Sequence, residues 1–300
     1  MRFTDCVRGT TTLTDGAWGT ELRKLGGAPD ACYDEWNLTK PALVQQVAES
    51  YIQAGSRVIL TNSFRANQIS LSVYGLQDQV QAINRAAVKI SRQAAGNAAL
   101  VIASIGPTGR MVGAGEASAQ QLKAAFSQQV RALAEEGPDA IVIETMTDLT
   151  EARIAAAAAL ETRLPVIVCM VLDSGEYRDR NMSGTTPEQA ATGLTSEGVD
   201  GIGANCGFGI HEFKALCQRL AASTTLPIWI KPNAGFPERI GGTVKYKTTP
   251  SEFATASQEL VDAGATFLGG CCGTTPEFIR AIAQQPAFRK AASRATSSER

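Results

Sequence analysis

Ala140-Ile141-Val142-Ile143-Glu144 is a short apolar run that ends on a carboxylate. Leu149 to Glu161 follows with helical spacing, and Val166-Ile167-Val168-Cys169-Met170-Val171-Leu172 is a second apolar run. Together they read as a strand, a crossover helix and a parallel strand. The unit repeats outward in both directions. Upstream lie the strand candidates Thr11–Asp15, Arg57–Asn62 and Leu100–Ile105, and downstream Gly201–Asn205, Ile228–Lys231 and Thr266–Gly269. The stretches between them, Pro41–Ala54, Gln79–Ala95, Ser118–Glu136, Pro187–Glu197, His211–Ala221, Pro250–Ala263 and Pro276–Gln284, carry helical periodicity. In Thr186-Pro187, Thr249-Pro250 and Thr275-Pro276 a proline sits where a first helical residue favours it, behind a small polar residue. Alternation of this kind predicts an α/β protein, a (β/α)8 TIM barrel in a single domain over residues 1–290, with 291–300 a disordered tail. The long segments Gly16–Lys40, Phe64–Asp78 and Asp173–Thr186 follow strand ends, the face on which barrel enzymes build their sites.

A chain of 300 residues that is 44% hydrophobic and 19% charged can bury a large core. Its formal charge of −1 gives no electrostatic reason to meet nucleic acid or an anionic membrane, so the expected partner is a small molecule. Met1 to Thr10 lacks an apolar segment and no run reaches the length of a membrane span, so the chain reads as cytoplasmic. Seven cysteines, an odd and widely spaced set, argue against a disulfide framework and for metal or catalytic thiols. Cys6, Cys32, Cys169 and Cys217 lie in strand, helix or N-terminal segments and read as small buried hydrophobes.

The other thiols stand in Gly203-Ala204-Asn205-Cys206-Gly207 and Gly269-Gly270-Cys271-Cys272-Gly273-Thr274-Thr275-Pro276. Cys206 closes the sixth strand candidate and Cys271-Cys272 the eighth, so the three can converge above one end of the barrel. Adjacent residues of a regular strand face opposite ways, and Cys271 and Cys272 can share a metal only where the backbone breaks. Gly269, Gly270 and Gly273 permit that break. Three thiolates and an open position make a reactive zinc site, whereas four protein ligands make a structural one. A buried thiol pair, a vicinal disulfide and a structural zinc remain alternatives on the residues alone.

Further strings appear in the same order along the chain: Asp15-Gly16-Ala17-Trp18-Gly19-Thr20, Thr61-Asn62-Ser63-Phe64, Ile143-Glu144-Thr145, Met182-Ser183-Gly184-Thr185-Thr186 and Lys231-Pro232-Asn233-Ala234-Gly235. With the two cysteine strings they resemble the homocysteine S-methyltransferase family from about Leu13 to about Ile282, most strongly the homocysteine-binding module of cobalamin-dependent methionine synthase. The resemblance implies methyl transfer to the sulfur of homocysteine, giving methionine, with zinc on Cys206, Cys271 and Cys272 as the catalytic centre. It also implies that Asp15 and Glu144 hold the substrate ammonium, that backbone N–H groups around Gly16 and Ala17 receive its carboxylate, and that Asn233 is a displaceable zinc ligand. A free alkyl thiol has a pKa near ~8.5 and zinc coordination deprotonates it, so this chemistry needs no protein base at the sulfur.

Family members draw methyl groups from a methylated corrinoid, S-methylmethionine, S-adenosylmethionine or betaine. The Asn62-Ser63-Phe64 and Gly106-Pro107-Thr108 strings lean towards the corrinoid branch. His211 is the only histidine and stands outside any Asp-x-His-x-x-Gly cobalamin string. An external methyl-corrinoid is therefore expected, either free methylcobalamin or one carried by a separate corrinoid protein. The alternatives are a homocysteine methyltransferase that uses S-methylmethionine, S-adenosylmethionine or betaine, and a thiol-activating zinc subunit of a larger methyltransferase complex.

Simpler roles exist for several of these residues. Asp15 can form a turn, Glu144 an ion pair, or the two an acid–base couple. Asn233 can serve the Pro-Asn-Ala-Gly turn, and His211 a helix start. Trp18, in the first loop, suits a cationic donor, as Trp36 could, while Trp229 suits the core. Gly106-Pro107-Thr108-Gly109 lacks the spacing of a phosphate loop and reads as a tight turn.

Overall fold

The computed structural model describes residues 2–7, 11–110, 115–240 and 243–288. Eight strands form one parallel sheet: β1 (Thr12–Leu13), β2 (Val58–Leu60), β3 (Leu100–Ile105), β4 (Ala140–Met146), β5 (Val166–Met170), β6 (Gly201–Gly209), β7 (Ile228–Asn233) and β10 (Phe267–Leu268). A two-stranded antiparallel hairpin, β8 (Glu238–Ile240) with β9 (Thr243–Lys245), is inserted after β7. The order β1-β10-β7-β6-β5-β4-β3-β2 is that of a (β/α)8 barrel with its seam between β1 and β2. Among the described residues no ladder crosses the seam. Arg57 N–H donates to Leu13 O (2.8 Å), and the Asp15 carboxylate accepts the Leu60 N–H (2.7 Å) where a backbone carbonyl would otherwise serve.

Each strand divides its residues between two cores by the period-2 rule. Along β4, Ala140 and Val142 join the barrel interior, while Ile141 and Ile143 meet the surrounding helices. The interior also holds Leu60, Ile102, Ile167, Cys169, Trp229 and Phe267. A short helix, Phe3–Cys6, adds Phe3 and Cys6 to this inner cluster, with Phe3 stacked on Phe267 at 5.7 Å. The polar look of the first residues hides this packing.

The helix starts follow the sequence closely. Thr186 and Thr249 cap Pro187–Thr195 and Pro250–Asp262 through capping boxes, and Thr275 caps Pro276–Ala283; such caps contribute about 1 kcal/mol each. Cys6, Cys32, Cys169 and Cys217 are buried and free, Trp229 lies wholly in the core, and His211 is exposed in a 3-10 turn. The turn at Gly106–Gly109 is tied down by Thr108, whose N–H and hydroxyl both donate to Glu151 Oε1 (2.8 and 2.6 Å). Residues 291–300, expected to form a tail, lie outside the described residues. Among the described residues no helix is long and apolar enough to cross a membrane.

Candidate active site

The same parity that fills the barrel interior with apolar side chains continues to the carboxyl ends of the strands, where it points polar ones inward. Ser104 on β3, Glu144 on β4, Asn205 on β6 and Lys231 on β7 share the inward face with Ile102, Val142, Gly203 and Trp229. Above them opens a cleft of about 1060 Å³, with Glu144, Lys231, Cys206, Cys271 and Cys272 among its lining and Trp18, Tyr33, Phe64 and Tyr74 also facing it. Its size is at the upper end for a pocket that takes a drug-sized ligand, and it leaves room for a second reactant beside a small amino acid.

Cys206, Cys271 and Cys272 are brought together, their sulfurs all within 4.8 Å of one another and those of Cys206 and Cys272 4.0 Å apart. Two zinc–sulfur bonds of about 2.3 Å at a tetrahedral angle set sulfurs about 3.8 Å apart, so the spacing suits one ion. The expected backbone break is present. β10 stops at Leu268, and Thr274 closes a turn by donating its N–H (3.1 Å) and hydroxyl (2.6 Å) to Cys271 O. A Cβ on Gly269 would stand 2.0 Å from Thr14 Oγ1, and Gly273 takes a φ of +82°, so both positions need glycine.

The protonation behaviour of the cluster also favours a cation. Cys206 is pulled down to about 3 by S–H donation from Cys271 and Cys272, helped by the Gly207 N–H and the Asn233 amide. Cys272 is pushed up to about 12, first by its hydrogen bond to Cys206, and Cys271 goes well above its ordinary value for the same reason. One thiolate forms readily, and further ionisation is resisted because like charges would crowd a buried site. A divalent ion removes that resistance. Asn233 donates its Nδ2 to Gly207 O (2.9 Å), while its Oδ1 is buried with no partner among the described residues. The donor set fits zinc.

The two carboxylates differ. Glu144 keeps a place in the cleft: Ser104 Oγ donates to its Oε1 (2.5 Å), and no described group donates to Oε2. Burial pushes its pKa up, opposed by the Lys231 charge and the Ser104 bond. Asp15 is wholly buried. Its Oδ1 takes the Lys231 ammonium (2.5 Å), and its Oδ2 takes the Leu60 N–H and the Trp18 indole N–H, both at 2.7 Å. The sequence gives Asp15 a substrate ammonium to hold; the structure gives it the ammonium of Lys231. The Ala17 N–H donates to Thr274 O (3.1 Å), and the Gly16 N–H has no acceptor among the described residues. Trp36 is buried under Lys40, 4.0 Å above its ring, away from the cleft.

Lys231 and Asn205, which stand in the quoted motifs without a role, and Ser104 and Tyr246, which stand in none, also meet the residues of the site. A lysine closing the apolar run Ile228-Trp229-Ile230 is a signal for the first, since a buried charge demands a partner. Burial lowers the Lys231 pKa, but the charges of Asp15 and Glu144 outweigh it and the net direction is up. Tyr246, just after the β8–β9 hairpin, lies over the cysteine turn, its ring 2.4 Å from where a Cβ on Gly273 would stand.

Asp34, in the cleft wall, makes a testable pH device. It accepts the Arg65 N–H (3.0 Å), and burial pushes its pKa from 3.8 up to about 6. An acid whose folded pKa is raised binds a proton before the unfolded chain does. Its share of stability therefore rises as pH falls from about 6 towards 3.8. Asp34→Asn keeps an oxygen for Arg65 and removes that charge. We expect it to raise unfolding free energy near neutral pH by on the order of 2 kcal/mol and by little near pH 4, read from urea unfolding at both.

A sequence model of the homocysteine S-methyltransferase family matches residues 12–285. Methionine synthase of Mycobacterium tuberculosis is 27% identical over 98% of this chain and 26% of its own length, and that of Mycobacterium leprae is 28% identical over 90% and 24%. The chain thus spans about a quarter of the length of these relatives. Among solved structures, the metallated form of the homocysteine methyltransferase MmuM from Escherichia coli superposes with a TM-score of 0.78 at 25% identity, over 93% of this chain and 98% of that one. The thiol cluster, the glycine-broken turn and the barrel that carries them lie inside the matched region, and the chain belongs to the homocysteine S-methyltransferase family.

Proposed function

We propose that this chain transfers a methyl group to the sulfur of homocysteine, giving methionine, with zinc held by Cys206, Cys271 and Cys272. The observation that carries this reading is the meeting of three thiols and one open carboxylate, Glu144, in a single cleft. Such a floor suits a small molecule with a thiol at one end and an ammonium at the other. The names of the relatives, homocysteine methyltransferase and methionine synthase, support the substrate.

Zinc, when bound, would lower the proton affinity of a thiol drawn to its open position and supply the sulfur as a nucleophile at neutral pH. Asn233 Oδ1 is the candidate to fill that position until the substrate arrives. Glu144 Oε2 receives the ammonium while the Ser104 hydroxyl fixes the other oxygen, and the Gly16 N–H is the candidate for the carboxylate. Lys231 keeps Asp15 paired and favours the ionised form of Glu144. The sulfur then forms its bond to the methyl carbon as the donor's bond to that carbon breaks, and the electron pair leaves with the donor. No proton needs a protein base at that step.

We read the donor as an external methyl-corrinoid, free or on a separate corrinoid protein, supported by the likeness to methionine synthases. The aromatic lining of Trp18, Tyr33 and Tyr74 supports a second reading, a small cationic donor such as S-methylmethionine. Free thiols throughout favour a reducing compartment, the cytoplasm. A panel of methylcobalamin, S-methylmethionine, S-adenosylmethionine and betaine, with methionine as readout, decides among them. We expect turnover with methylcobalamin; turnover only with a sulfonium or betaine would overturn the donor assignment and leave the thiol chemistry standing. A charge-assisted hydrogen bond is worth about 1.5–3 kcal/mol, so Glu144→Gln should weaken homocysteine binding roughly ten- to a hundredfold with metal retained. Unchanged affinity by calorimetry would remove Glu144 from the substrate site.

A further inference from the structure

Two residues other than glycine adopt left-handed backbone within the barrel strands, Thr145 of β4 with a φ of +63° and Cys206 of β6 with +64°. Each marks a fault in its strand. The β4–β5 register shifts between Ile143 and Met146, and the β6–β7 register shifts between Asn205 and Gly209. For a β-branched residue such a backbone is a true outlier, and it persists only where neighbours over-determine it. Asn205, 1% exposed, is that neighbour. Its Oδ1 accepts the Thr145 N–H (2.7 Å), its Nδ2 donates to Thr145 Oγ1 (2.8 Å), and the same Nδ2 lies 3.7 Å from Cys271 Sγ. One amide, on the residue before Cys206, therefore joins the residue after Glu144 to the sulfur of Cys271.

We propose that Asn205 is a positioning residue that locks the bulge carrying Glu144 to the bulge carrying Cys206, and so fixes the distance between the ammonium site and the thiol site. A fixed distance selects substrate length. Homocysteine differs from cysteine by one methylene between its amino-acid end and its sulfur, and a rigid pair of sites rejects the shorter molecule. This inference rests on the homocysteine reading above. Bulges are suited to the task because they re-aim side chains at strand ends.

The test is a double-mutant cycle on metal-loaded protein, with homocysteine and cysteine binding measured by calorimetry. The wild type should prefer homocysteine. Asn205→Ala should weaken homocysteine roughly tenfold and cysteine much less, so the preference shrinks. In a Glu144→Gln background the same substitution should change homocysteine affinity by less than about twofold, because the anchor it positions is gone. Thr145→Gly accepts the positive φ without strain and loses only the Oγ1 contact. It should shift the preference in the same direction by a smaller factor, and it carries the test if Asn205→Ala does not fold. Equal losses for both ligands, or effects of Asn205→Ala and Glu144→Gln that simply add, would overturn the proposal while the homocysteine reading stands. A wild type that binds no homocysteine would overturn both.

Discussion

Replacing any one of Cys206, Cys271 and Cys272 by alanine is expected to strip the metal and to lower methyl transfer by about three orders of magnitude or more, with the barrel still folded. The three sulfurs lie within 4.8 Å of one another, so on the proposed reading each is a third of the thiolate set, and no other His, Cys, Asp or Glu among the described residues joins the cluster. Losing several kcal/mol of charge stabilisation at the sulfur corresponds to a rate loss of roughly a thousandfold. The fold should survive because Cys271 and Cys272 lie beyond the end of β10 and Cys206 lies at the register fault of β6, all three outside the two apolar cores that hold the strands and helices together. Metal analysis and circular dichroism on the same samples check both halves of the statement. Cys169→Ala is the control: that side chain is wholly buried in the barrel interior, so its loss should lower stability and leave metal content at one per chain.

Lys231→Met is expected to destabilise the protein by about 3–5 kcal/mol, the cost of leaving one partner of a buried ion pair without the other. Lys231 is 2% exposed and Asp15 not at all, and Asp15 also accepts the Leu60 N–H that helps close the barrel seam. Asp15 would then have to stay charged in a dry site or take up a proton. Combining Lys231→Met with Asp15→Asn should recover much of the loss, because a neutral amide can still accept from Leu60 and Trp18. Denaturant unfolding of the two single variants and the double variant checks this, and a Lys231→Met protein within about 0.5 kcal/mol of wild type would contradict it.

What the sequence made legible follows from which interactions are local. Apolar runs such as Val166–Met170 and the Thr-Pro starts at Thr186, Thr249 and Thr275 carry their own structural instruction, and the barrel could be read from them. The thiol site was legible because glycines flank both cysteine strings at strand ends. The role of Asp15 was not, because it depends on Leu60, Trp18 and Lys231 meeting across the seam, and no local pattern encodes that meeting. The Ala17 N–H was lost to Thr274 O for a similar reason. The Phe3–Cys6 helix is too short to show periodicity, and the β8–β9 hairpin has only three residues in each strand. The left-handed backbone of Cys206 and Thr145 has no compositional signal, since neither residue type prefers it.

The central claim is that three thiolates of this chain hold one metal with a position kept open for the substrate's sulfur. X-ray absorption at the zinc edge, taken on zinc-loaded protein with and without homocysteine, measures it directly. The account predicts three sulfur neighbours and one lighter atom per zinc before homocysteine, and four sulfurs after. A sulfur count that stays the same on adding saturating homocysteine, or zinc held without sulfur, would contradict it.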